Sequence, residues 1–251
     1  MGPPDRRLLT DSAGRVMLSY LPASGVEGAD DVRPLADVHD VAAVLLEQLP
    51  GWVVATEDTE LAEALLAVGS RQVRFSHLFS RDLVADPPDP SWLEPVLAPG
   101  VQLRPDGVPL LEQGRLSVRA YPHGHADHDG DDPEYAASQL ARLYGGDYIG
   151  PVLDCSTLAM DGDRLVGVLI VNRMPGAAPM GGPWVSEVFR DPHPRYVGLG
   201  TALIHRAMAR LAAQHEATLS LVVTDANPAR SLYERLGFQF QASSRKVRLP
   251  Q

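Results

Sequence analysis

Between Asp86 and Gly100 the chain reads DPPDPSWLEPVLAPG, and its five prolines forbid a continuous helix or a central strand across that stretch. A chain of 251 residues interrupted there is expected to fold as two pieces. The expected organisation is a small α/β domain over 1–85, a proline-rich linker over 86–100, and a larger domain over 101–251. In the front piece, Ala36 to Leu49 and Glu60 to Val68 have helical periodicity, and Gly69 closes the second of these helices. Trp52 to Thr56 and Gln72 to Phe79 read as strands. That inventory amounts to half a domain.

Behind the prolines, Ser156 to Met160 and Arg164 to Val171 are β-rich runs joined by Asp161-Gly162-Asp163, which predicts a hairpin. Val185 to Phe189 is a further strand. From Leu199 to His215, Leu203, Ala207 and Leu211 fall on one helical face. Leu219 to Thr224 reads as a strand, Asn227 to Leu236 as a short helix, and Phe238 to Leu249 as closing strands. Laying Gly69 on Gly237 superposes Val54 on Val222 and Thr56 on Thr224 without gaps. Thr59 then falls on Asn227 and Leu65 on Tyr233, so the front copy lacks the polar groups of the rear one. Shared ancestry explains this, and so does the common packing rule of two strand-helix units.

The formal charge of −10 argues against a sequence-independent grip on nucleic acid, which rests on arrayed Lys and Arg. Hydrophobic residues make up 45% of the chain, yet no run of 18 apolar residues exists to span a membrane. Asp5, Arg6, Arg7, Asp11 and Arg15 break any secretory signal. Arg6 stands where N-myristoylation at Gly2 would need Ser or Thr. Cys155 is alone, so no intramolecular disulfide forms, and a reducing cytoplasm is the expected compartment.

The chemistry is expected in the stretch from Trp184 to Phe238. Gly198 and Gly200 precede an amphipathic helix, where missing Cβ atoms and unpaired N–H groups would suit an anion, and Arg195 adds charge. A dinucleotide fingerprint would need a glycine at Leu203, and a Walker loop would need Gly-Lys-Ser/Thr, so both are excluded. Downstream, Asn227 is placed to cap a helix, with Pro228 in its first turn and Gly237 at its C′ position.

Arg195-x-x-Gly198-x-Gly200 followed by Asn227-Pro-Ala-Arg-Ser-Leu-Tyr233-Glu-Arg-Leu-Gly237-Phe238 resembles the GNAT acetyltransferase superfamily. The resemblance covers roughly 150–250 and implies a mixed, mostly antiparallel sheet flanked by helices, an α/β (α+β) fold with a smaller α/β N-terminal domain. It implies acetyl-CoA as donor, a small amine or peptide amine as acceptor, and no metal. By position, the amides of Arg195, Tyr196, Val197, Gly198, Leu199, Gly200 and Thr201 would hold the pyrophosphate. The main chain of Val188, Phe189 and Arg190 would pair with pantetheine, with Asn227 and Arg230 as further cofactor contacts. Tyr233 would protonate the departing thiolate, and Glu187 is the candidate base.

His123, His125 and His128 stand among Asp127, Asp129, Asp131 and Asp132. A metal site, a solvated loop, and an acidic wall that attracts a cationic amine are the three readings of this segment. Two rivals to an active acetyltransferase remain: an acyl-CoA-binding sensor or scaffold whose chemistry has lapsed, and a front domain that serves homodimer assembly.

Overall fold

The computed structural model describes residues 6–23, 27–146 and 149–251; the expectations resting on Gly2 and Asp5 lie outside the described residues. The chain divides into two compact units, Met1–Leu78 with Ala242–Gln251, and Phe79–Gln241. This division differs from the expected 1–85, 86–100 and 101–251. Two contacts account for the difference: the last ten residues pair with the front unit, and the proline-rich stretch packs on the rear one.

The first unit contains β1 (Arg7–Thr10), β2 (Val16–Pro22), β3 (Gly28–Pro34), α1 (Val38–Gln48), β4 (Val53–Thr56), α2 (Thr59–Ala67) and the start of β5 (Arg71–Asp82). Strands β1/β2 and β2/β3 run antiparallel, whereas β3 and β4 are parallel through Gly28↔Val53 and Ala29↔Val54. The closing strand, Gln239–Arg248, pairs antiparallel with β4 from Arg245↔Thr56 to Arg248↔Val53. Both helices begin at aspartates: the Asp37 carboxylate accepts from the amides of His39 and Asp40, and the Asp58 carboxylate from that of Leu61. Their inner faces present Val41, Leu45, Leu61 and Leu65 to Met17, Leu18, Val54 and Val247, all fully buried. Each such side chain contributes about 1.5–3 kcal/mol.

The second unit holds the rest of β5 and adds β6 (Val101–Arg104), α3 (Leu110–Ala120), α4 (Pro133–Gly145), β7 (Thr157–Asp161), β8 (Arg164–Met174), β9 (Gly182–Arg190), α5 (Leu199–Ala213), β10 (Thr218–Thr224), α6 (Arg230–Arg235) and the start of β11 (Gln239–Arg248), the closing strand. Its strand order is β5-β10-β9-β8-β7-β6. The β6/β7, β7/β8 and β8/β9 pairs are antiparallel, and β9/β10 is parallel. Alternation along β8 feeds two cores. Leu169 and Val171 join Leu203, Ile204, Ala207, Met208 and Leu211 of α5, while Val168 and Ile170 join Leu116 of α3 and Leu140 of α4. A strand covered on both faces has to be apolar throughout, which explains the run Leu165 to Val171.

The proline-rich stretch is no free linker. Pro90–Leu93 forms a 3-10 turn whose Trp92 stacks on His205 of α5 at 3.7 Å and 6°. Leu97 and Ala98 pack against the same core. The expected helix from Asn227 is also shorter: the Asn227 side chain accepts the Ala229 amide in a tight turn, and α6 starts at Arg230.

Candidate functional site

β9 and β10 are parallel only through Ser220↔Trp184 and Leu221↔Val185; beyond these rungs β9 continues to Arg190 and β10 to Thr224 without a further rung between them among the described residues. A bulge sets this up. The β8 register runs Ile170↔Glu187 and then Val171↔Val185, so Ser186 is an extra residue that bends β9 away from its neighbour. The main chain of Val188, Phe189 and Arg190 therefore flanks an opening. The Phe189 ring is buried in the α3-side core, and the Arg190 guanidinium donates to the Asp191 carbonyl at 2.7 Å.

At the end of β9, Asp191 is almost fully buried and fixes the turn into α5. Its carboxylate accepts from the His193 amide at 3.0 Å and pairs with Arg164. Burial pulls its pKa up, but the His193 amide and Arg164 outweigh this and hold it below the ordinary value. Gly198 then sits at φ +86°, and no side chain caps α5. A Cβ built on Gly198 or Gly200 would meet nothing within 4 Å, so there is open space beside the start of this 15-residue helix. That arrangement fits a diphosphate. Beside it lies a cavity of about 130 Å³ lined by Val96, Ala98, Arg195, Val197 and Gly198.

The side chain of Arg195 does other work: it donates to the Pro99 carbonyl at 2.6 Å and pairs with Asp161 at 3.4 Å. Tyr196 is a core residue whose hydroxyl donates to Asp161 at 2.8 Å. Val197 is exposed, Leu199 is buried, and Thr201 lies in the first turn of α5.

On the far side of the opening α6 carries Tyr233, buried against Phe238 with ring centroids 6.0 Å apart. Burial, then the charges of Asp127 and Glu187, push its phenol pKa up, so the group is a neutral donor. Arg230 pairs with Glu234 at 3.4 Å and Asp225 at 3.6 Å. Asn227 donates from its amide to Asp127, which also accepts from the Thr224 hydroxyl. The acidic loop thus reaches the turn between β10 and α6. Asp132 caps α4, and the ring of His128 holds the Tyr121 carbonyl. Among the described residues, no three His, Cys, Asp or Glu side chains are placed to hold a metal ion.

The structure therefore brings Glu187, Tyr233, Asn227 and Asp127 together and adds Tyr121, which sequence reasoning missed. Tyr121 follows the last turn of α3, ahead of Pro122, and donates to the Val188 carbonyl at 3.2 Å. Periodicity gives no signal for it, because the contact joins residues 67 positions apart.

Residues 154–240 match the family described as an acetyltransferase (GNAT) domain. No curated protein matches the sequence. Solved structures match nearly the whole chain in fold. A GCN5-related N-acetyltransferase from Sphaerobacter thermophilus shares 15% identity over 96% of this chain and 79% of its own, with a TM-score of 0.62. A tandem GNAT protein from the clavulanic acid biosynthesis pathway shares 15% over 95% and 80%, with a TM-score of 0.60. A functionally unknown conserved protein from Staphylococcus epidermidis shares 13% over 100% and 96%, with a TM-score of 0.55. Among the described residues no helix is long and apolar enough to cross a membrane.

Proposed function

We propose that this chain transfers an acetyl group from acetyl-CoA to a primary amine. One observation carries the reading: the uncapped start of α5 at Gly198 and Gly200 lies at the same end of the second unit as the opening between β9 and β10. A donor held there by its diphosphate lays its pantetheine arm along Val188 to Arg190 towards Tyr233. Glu187 takes a proton from the acceptor ammonium, directly or through a water, and the free amine attacks the thioester carbonyl. A backbone N–H near Phe189 stabilises the developing oxyanion. As the C–N bond forms and the C–S bond breaks, Tyr233 gives its proton to the thiolate, and the surplus proton on the new amide nitrogen returns to Tyr233 while Glu187 releases the first proton to solvent. Asp127 and Glu187 make the surroundings acidic, which favours a cationic acceptor.

Isothermal titration with acetyl-CoA tests the reading on the wild type and on Gly200→Glu. Gly200 has an ordinary helical backbone with room for a side chain, and a carboxylate in the first turn suits the helix dipole. The variant therefore folds while placing negative charge in the phosphate position. The expected result is binding to the wild type that weakens on the order of tenfold or more in the variant, about 1.4 kcal/mol. Wild-type protein that binds neither acetyl-CoA nor CoA would sink the proposal, and binding without CoA release on adding amines would leave an acyl-CoA-binding module.

A further inference from the structure

Tyr121 is held through both its backbone and its ring. Pro122 ends α3, and the Tyr121 amide closes the last turn on the Ser117 carbonyl. Its own carbonyl accepts from Nδ1 of His128 at 2.9 Å. Its ring meets Phe189 edge-on at 6.0 Å and His125 at 5.0 Å. What this fixes is the hydroxyl, which lies 3.2 Å from the Val188 carbonyl and within hydrogen-bonding reach of Glu187. Glu187 and Phe189 share a face of β9 by the period of the strand, and that face looks towards α3.

We propose that Tyr121 is a positioning residue of the acyl-transfer site, its hydroxyl hydrogen shared between the Val188 carbonyl and the Glu187 carboxylate and holding that carboxylate against β9 where the acceptor gives up its proton. The inference rests on the reading of Glu187 as base. A phenol suits the task better than a charged donor. Burial, then the charges of Glu187, Tyr233 and Asp127, push its pKa well above the usual value, so it remains a neutral donor at working pH and never competes for the acceptor's proton. The titratable groups facing the pair are Tyr233 from α6, Asp127 from the loop and His125 beside the ring; on β8 the register partner of Glu187 is the apolar Ile170.

A hydrogen bond to a carboxylate favours its charged form, so removing the donor raises the carboxyl pKa. The test uses full-length protein labelled with ¹³C at the glutamate side-chain carboxyls, with the Glu187 resonance identified by its loss in Glu187→Gln. In Tyr121→Phe the Glu187 titration midpoint is expected to rise by about one pH unit, the share of one hydrogen bond to charge. Tyr144→Phe, which removes a hydroxyl bonded to Gln113 at 2.9 Å between α3 and α4, is expected to leave the midpoint where it was. CoA release from acetyl-CoA with butylamine as probe acceptor is expected to fall on the order of tenfold in Tyr121→Phe, and no further when that change is added to Glu187→Gln. The calorimetric Kd for acetyl-CoA is expected to hold in both. An unmoved midpoint overturns the proposal. A raised midpoint with wild-type CoA release from Glu187→Gln instead removes the base assignment, and with it the catalytic meaning of a contact that the titration has confirmed.

Discussion

Gly198 and Gly200 look alike in the sequence and differ in what they require. Gly198 stands at φ +86°, where a Cβ is strained whatever the space around it, whereas Gly200 has an ordinary backbone in the first turn of α5. Gly198→Ala is expected to destabilise by about 1–2 kcal/mol, and Gly200→Ala to be neutral or stabilising by up to about 1 kcal/mol. Urea denaturation of the two variants checks the opposite signs. Tyr233 calls for a functional measurement, because Tyr233→Phe keeps the packing against Phe238 and removes only the proton donor. The expected outcome is a fall in kcat of about 10²-fold with the acetyl-CoA Kd unchanged; an equal loss in both would make the tyrosine a binding wall. The residues of this site that were legible, Gly198, Gly200, Asn227 and Tyr233, sit in motifs local in sequence. Tyr121 on Val188 and Asp127 on Asn227 were not legible in this way, because those contacts join distant residues with no shared spacing.

Elements were readable where burial imposes a pattern. The apolar run of β8 and the spacing of Leu203, Ala207 and Leu211 in α5 place both elements to within a few residues. β3, GADDVRP, has no alternation to read, and the first three strands went unexpected. The prolines of 86–100 do exclude long elements, yet they say nothing of Trp92, whose stacking on His205 depends on a partner over a hundred positions away. That stack carries a pH signature. Burial, then the charge of Arg81, lowers the His205 pKa, so the unfolded chain binds a proton more readily than the folded one. The contribution is fully present above the ordinary histidine pKa near 6.5 and is lost as pH falls from there through the folded value. His205→Phe keeps a ring on Trp92 and removes the titration, and is expected to flatten the fall of Tm between pH 7 and 5. The α3/α4 pair depends on Gly114, where a Cβ would come within 2.3 Å of the Pro133 carbonyl. Gly114→Val is expected to cost about 1–3 kcal/mol by forcing the helices apart, measurable as a lowered Tm.

The two units repeat a strand-helix-strand theme with different contents. Laying Gly69 on Gly237 brings together two glycines of positive φ, +94° and +81°, and also the starts of β5 and β11 and the ends of β4 and β10. The differences lie at the positions a donor would need. In the first unit the buried Thr56 hydroxyl donates to the Val32 carbonyl at 2.8 Å and ties the parallel strands β3 and β4 together; the matching Thr224 donates to Asp127. Asp37 covers the amides at the start of α1, so that terminus is satisfied by a carboxylate that would repel a phosphate, whereas α5 starts at a glycine with no side-chain cap. Leu65, fully buried, fills the place of Tyr233. A strand pair with its gap bridged and an anion site already filled by an anion lacks both contacts that the proposed donor would use. Titration of the full chain is therefore expected to saturate at one acetyl-CoA per chain, with Gly200→Glu weakening that single event. A second equivalent surviving in Gly200→Glu would show that the first unit binds as well and that Thr56 and Asp37 yield to the ligand.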